Sequence, residues 1–140
     1  MEKIYFTIDN IHESLWGKRY DDPYFQVQSI PFYLKGISYN DIISVQIING
    51  MYNFDKVISV SGHSNYRVYI KNENDEGFKK YWQPLENIGC SYENANSKLF
   101  AIDVPPKTDI DKVYELLETG EKENFWEFEE GNCEHLIQKN

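Results

Sequence analysis

The chain has 140 residues, 41% of them apolar and 16% aromatic, enough to bury a core without disulfide staples, which excludes a disordered chain. Fourteen Lys and Arg stand against 23 Asp and Glu, and the net charge of −9 disfavours phosphate backbones, so no direct nucleic-acid partner is expected. No signal-peptide pattern and no apolar run of about 18 residues is visible, so a cytoplasmic protein without a membrane span is expected.

The first half reads as strands. Residues 11–19 and 24–33 flank Asp21-Asp22-Pro23, a turn tripeptide, and predict a hairpin. Residues 41–48 and 51–60 are joined by Asn49-Gly50, both tolerant of the positive φ of a type I′ turn. That two-residue loop pairs Ile48 with Met51, Ile47 with Tyr52 and Val45 with Phe54, so Ile43, Val45, Ile47, Tyr52 and Phe54 share one face, the expected core face. The apolar alternation changes phase after Phe54, which predicts a bulge or bend near Asp55-Lys56.

The second half changes rhythm. Residues 66–70 form a strand, and Phe78, Tyr81, Trp82, Leu85 and Ile88 recur at helical spacing, with Pro84 expected to kink or split that helix. Gly89 is placed as a C-terminal cap, residues 90–94 and 99–104 as a strand pair, and Pro105-Pro106 as a stop. A second helix opens at Thr108 with Asp111 in the capping-box position, buries Ile110, Val113, Tyr114 and Leu117, and stops at Gly120. Residues 125–130 alternate as a last strand.

The expected fold class is therefore α+β. Residues 1–62 form a curled antiparallel sheet or small barrel, packed on a ferredoxin-like βαββαβ half over residues 63–134, with 135–140 as a tail that frays. Cys90 and Cys133 should then lie apart as reduced thiols. They sit in no metal-ligand spacing, His12, His63 and His135 are isolated, and no metal or other cofactor is expected.

Ser61-Gly62-His63-Ser64-Asn65-Tyr66-Arg67 is the most chemical-looking stretch. Neighbouring side chains in a turn point apart, so the expected role is a corner: Gly62 supplies an unusual φ, the serines and Asn65 cap amides, and His63 bonds locally. Arg67 is expected on a solvated strand face, either paired with Glu93 or clamping an anion. Glu13, Asp41, Glu93 and Asp103 are carboxylates set among apolar residues. Asp41 is expected to cap a turn.

The order and spacing of Glu13-Ser14-Leu15-Trp16, residues 30–33, Gly36 to Asp41, Ser61 to Arg67, residues 88–93, 101–105 and 125–128 resemble an uncharacterised bacterial family catalogued as domain of unknown function 4265. The resemblance implies a small, nearly stand-alone bacterial protein and no established activity. It also implies that Thr commonly stands where this chain has Asn65.

Two functional readings follow. In the first, the chain is a non-enzymatic immunity-type protein that covers the basic cleft of a cognate toxin with Asp21, Asp22, Tyr24, Asp75, Glu76, Glu127 and Glu129. In the second, it is a small enzyme or small-molecule sensor with a pocket at the junction of the halves around His63 and Arg67, onto which Glu13, Trp16 and Glu93 converge.

Overall fold

A computed structural model describes residues 1–71, 75–96 and 98–136, apart from the side chain of Asp75. Strands β1 (Glu2–Ile8), β2 (Ile11–Arg19), β3 (Phe25–Val27), β4 (Ile42–Ile48) and β5 (Met51–Ser59) follow one another around a closed barrel. All its neighbours are antiparallel except β1 and β5, which close it in parallel at Ile4–Tyr52 and Tyr5–Asn53. The β4–β5 hairpin has the expected register, with Asn49 and Gly50 at φ 52° and 77°. Ser44 faces Lys56 while Val45 faces Phe54, so Asp55 is the extra residue of a bulge. Such bulges sharpen the twist that a small barrel needs. Ile4, Phe6, Leu15, Phe25, Val27, Leu34, Ile37 and Ile43 fill the interior.

Two expectations fail in this half. The strand expected over residues 24–33 ends at Val27, because Pro31 has no N–H for a ladder and side chains take up the neighbouring amides. Ile47 lies on the inward face but is 68% exposed, since β3 stops opposite Ile43 and the hairpin tip continues past it. The sequence reading also passed over the turn at Asp9-Asn10, both at positive φ, which joins β1 to β2.

The second sheet is built from β6 (Ser64–Ile70), β7 (Ser91–Asn94), β8 (Leu99–Val104) and β9 (Trp126–Asn132) in the order β7-β8-β6-β9, every pair antiparallel. Helices α1 (Asp75–Asn87) and α2 (Ile110–Lys122) complete it. Tyr66, Val68 and Ile70 on β6 pack with Trp82, Leu85, Val113, Leu117 and Trp126 in one core. Arg67, one residue out of phase, faces the barrel segment. Cys90 and Cys133, beside the two edge strands, are both free thiols. No helix among the described residues is long and apolar enough to cross a membrane.

The helix ends differ from expectation. Helix α1 runs unbroken through Pro84, where the flanking Trp82 and Leu85 are buried in the core and offset the lost hydrogen bond. The cap of α2 is Asp109, whose carboxylate accepts the N–H groups of Asp111 and Lys112. Thr108 is occupied elsewhere, donating its hydroxyl to the Ile88 carbonyl at 3.0 Å. Tyr114 is 48% exposed rather than buried. Helix α2 continues past Gly120 to Lys122, and Asn124, at φ 59°, makes the left-handed exit. Gly120 has a packing role: the Trp126 indole lies against it and donates to the Leu117 carbonyl at 2.9 Å.

A Cβ on Gly120 would sit 2.3 Å from Trp126 Nε1. Helix propensity alone makes Gly→Ala favourable by about 1 kcal/mol, while forcing volume into a packed core costs about 1–3 kcal/mol. Gly120→Ala is therefore expected to lower the urea midpoint and shift the Trp126 near-UV signal. A raised midpoint would mean that propensity prevails.

Candidate functional site

Where β3 ends, the chain runs through residues 30–34 with no strand partner, so its peptide groups need other partners. Glu13 of β2 takes three of them: its carboxylate accepts the N–H groups of Phe32 at 2.8 Å, Tyr33 at 3.0 Å and Leu34 at 3.1 Å. Arg67 of β6 takes the carbonyls, its Nε donating to Phe32 O at 2.7 Å and its Nη2 to Leu34 O. Glu93 of β7 accepts the Ile30 N–H at 2.5 Å. Three of the four residues proposed for chemistry thus grip one loop, from the barrel and from the second sheet.

This corrects the placement of Arg67. It is 2% exposed, not on a solvated face, and its ion-pair partner is Glu129 at 3.7 Å rather than Glu93. Burial depresses its basicity, while Glu129 and Glu13 restore part of it. The Glu93 carboxyl is raised by burial, against the Ile30 N–H that favours its charged form. Arg67 Nη1 and Asn65 Oδ1 have no hydrogen-bond partner among the described residues. Both lie within 2.3 Å of where a Cβ on Gly131 would sit, so only glycine fits at that position.

His63 belongs to a different cluster. Gly62 turns the corner at φ 90°, and the His63 N–H bonds Ser61 Oγ at 3.1 Å. The His63 ring places Nδ1 2.9 Å and 3.1 Å from the two oxygens of Asp103, with Tyr39 edge-on against it. Burial raises the Asp103 carboxyl, and His63 pulls it back. An Asp that orients a His is half of a nucleophile-activating device, but the nearby hydroxyls are engaged. Ser61 Oγ donates to the Tyr39 carbonyl at 2.7 Å, and Ser64 Oγ bonds His135 Nδ1 at 2.6 Å. Burial pushes the Cys90 thiol up to about 12, which keeps it un-ionised and poorly nucleophilic.

Around this corner runs a polar seam between the halves. Asp41, fully buried, accepts the N–H groups of Ser38 and Ser61, each at 2.9 Å. Its expected capping role is thereby realised on two segments at once. Glu134 accepts the Gly62 N–H at 2.7 Å and, with Ser38 Oγ, binds the Asn132 amide. Asn65 donates to the Ile37 carbonyl at 2.8 Å. His135, expected to fray, is tied to Ser64 and to the Pro105 carbonyl, while residues 137–140 of the expected tail lie outside the described residues. Sequence reasoning overlooked Asn132 and Glu134 and took His135 as isolated. Their only signal was polarity directly after a strand, which also describes an ordinary tail.

Among the described residues, Arg67 and the His63–Asp103 pair border separate clefts rather than one shared pocket. Arg67 lines a cleft of about 290 Å³ with Phe32, Tyr33, Tyr69, Phe128, Glu127 and Glu129. Asp103 and Glu93 line another of about 260 Å³ with Gln28, Tyr39, Ser91 and Tyr92. Glu13 and Trp16 open onto a third, which shares Glu93 with the second. Among the described residues no three His, Cys, Asp or Glu side chains gather to hold a metal ion.

The acidic residues proposed for a partner are spread over the molecule. Asp21, Asp22 and Tyr24 form the β2–β3 turn, where Asp22 pairs with Arg19 at 3.2 Å. Glu127 and Glu129 lie on edge strand β9 and pair with Lys71 and Arg67, each at 3.7 Å. Glu76 is exposed on the first turn of α1, and the side chain of Asp75 lies outside the described residues. The charge itself is concentrated: residues 105–136 hold ten carboxylates against three lysines, seven of the nine net negative charges.

Two outcomes are expected. Arg67→Lys keeps the charge but cannot reproduce the fork to two carbonyls, and should lower unfolding free energy by about 2–4 kcal/mol in urea titrations. Burial of Asp41, reinforced by the Glu134 carboxylate, raises its carboxyl from 3.8 to about 6. Between these values the native state binds more protons than the unfolded chain, so the contribution of Asp41 to stability falls as pH rises from about 4 to about 6. Chemical denaturation across that window should show a shallower loss for Asp41→Asn than for the wild type.

The fold has a solved counterpart. A crystal structure of a hypothetical protein from Neisseria gonorrhoeae superposes with a TM-score of 0.83 at 20% identity, covering 97% of this chain and 96% of that one. At that identity the likeness speaks for the fold alone. None of the curated proteins matches the chain. The model of the family described as a domain of unknown function, DUF4265, matches residues 13–128, a span that includes Glu13, His63, Arg67, Glu93 and Asp103, and the chain belongs to that family.

Proposed function

We propose that the protein works by binding another protein: a cytoplasmic, immunity-type inhibitor that neutralises a cognate toxin by covering its basic cleft. In this reading the second sheet, with its β7-β8-β6-β9 order, is a ferredoxin-like plait that serves as a rigid platform. The observation that carries the proposal is the charge concentration over α2 and β9. Asp111, Glu115, Glu121, Glu127, Glu129 and Glu130 are exposed there, beside the half-exposed Tyr114. A field of one sign speeds association with an opposite surface, and an aromatic within it supplies an anchor. Asp21, Asp22 and Tyr24 at the far end of the barrel form a separate, smaller acidic patch.

The competing reading, an enzyme or sensor at the junction, has less support. Glu13, Glu93 and Arg67 are taken up by loop 30–34, and His63 by Asp103. What remains in its favour is the cleft walled by Asp103, Glu93 and Tyr39, and His63→Ala separates the two readings. That variant should leave toxin neutralisation intact, whereas a pocket function would be abolished.

The direct test is co-expression with the product of an adjacent gene, scoring protection of the cell and a complex that survives purification. Glu115→Lys with Glu121→Lys should slow association several-fold at low salt and flatten its salt dependence. If no complex forms and no cell is protected, the proposal fails.

A further inference from the structure

Beyond Ile43, β4 has β5 on one side and, among the described residues, no strand on the other. β3 pairs with β4 only at Phe25–Ile43 and Gln26–Ile42, so residues 44–48 continue past the end of the barrel wall. The two-residue turn makes Ile48 and Met51 a hydrogen-bonded pair, with Gln46 and Asn53 the next. Alternation then turns the N–H and C=O groups of Val45 and Ile47 away from β5, onto the open edge. No hydrogen bond from the described residues reaches them.

An edge of this kind is a template for another strand, and proteins usually blunt it with charge, proline or a covering loop. Ser44-Val45-Gln46-Ile47-Ile48 has no charged residue and no proline. The bulge at Asp55 is on the partner strand. Ile47, Ile48 and Met51 are exposed by 68%, 49% and 46%. The hairpin tip also points away from the second sheet, because β4 starts and β5 ends at the seam around Asp41 and Ser61. Most of the negative charge of the chain therefore lies in the other half.

We propose that this edge pairs with the same edge of a second copy, antiparallel and centred on Gln46. In that register Val45 of one copy stands opposite Ile47 of the other, and each satisfies the free groups of its opposite number. The side chains of Val45 and Ile47 fall on one face and cover each other, while the two Gln46 amides meet on the other face. The segment is neutral, so a charged partner strand gains nothing there, whereas an identical strand brings no like charge onto the edge itself and only the net charge of −9 on each copy opposes it. The proposal is independent of the toxin reading.

Sedimentation velocity of the whole chain from low to high micromolar concentration tests it. The wild type should shift from monomer to dimer, more readily as salt screens the net charge. Ile47→Pro removes an N–H that the β4–β5 ladder does not use, so the hairpin keeps its bonds while the dimer is lost. Ile47→Lys should abolish the dimer as well. Amide exchange on the wild type gives a reading free of folding artefacts: the Val45 and Ile47 amides should become protected as concentration rises, while the Gln46 amide is protected throughout. A monomer at every concentration, a dimer unchanged in both variants, or concentration-independent exchange at Val45 and Ile47 overturns the proposal.

Discussion

Loop 30–34 is held by charges of opposite sign, and the Phe32–Tyr33 peptide is gripped at both ends. Glu13 neutralises its amides, Arg67 its carbonyls, and Glu93 the amide at its start. A buried guanidinium or carboxylate is costly to desolvate unless it is fully bonded. Here Arg67 leaves Nη1 unbonded among the described residues, but the bonds it and the carboxylates do gain are ones the backbone would otherwise lack. Because Glu13 stands on the barrel and Arg67 and Glu93 on the second sheet, the same contacts fix the loop and join the two halves. The features that would have made these residues look catalytic, buried charge and convergence on one segment, are consequences of that joint.

The seam extends the same logic with neutral and acidic groups. Asp41 holds Ser38 and Ser61, Glu134 holds Gly62, and Asn65 and Asn132 meet around Ser38. Such a network fixes one docking angle between two cores that are separately apolar, since a shifted angle would leave buried polar groups unpaired. The clefts that remain lie between these contacts, which is why they are divided rather than merged into one cavity.

Much of the fold was legible in local chemistry. Asn49-Gly50 dictated a hairpin and its register, the phase change after Phe54 located the bulge at Asp55, and the succession of elements after Tyr66 was readable from periodicity. What escaped depended on distant partners. No window around Pro31 says that residue 13 will supply its ladder, and Gly120 reads as a helix stop until Trp126 arrives against it. The site was less legible still. Arg67 stands out in the sequence, yet its partners are carbonyls thirty-three and thirty-five residues away, and carbonyls leave no mark in a sequence. Asp103 was noticed as a carboxylate among apolar residues, but its pairing with His63 required the sheet register that sets β8 against β6.

The corner at Gly62 has a consequence in time as well as in space. Its amide is satisfied by Glu134, 72 positions later, and Ser64 by His135, 71 positions later. During synthesis the barrel strands can pair long before these partners exist, so the corner must wait, solvated, until β9 has been made. Contacts of such separation slow folding because a large loop must close before they form. Gly62 and Ser64 thus reach their final bonds only after residues 134 and 135 have been made, whereas Ser61, Asn65 and Arg67 bond residues that precede them.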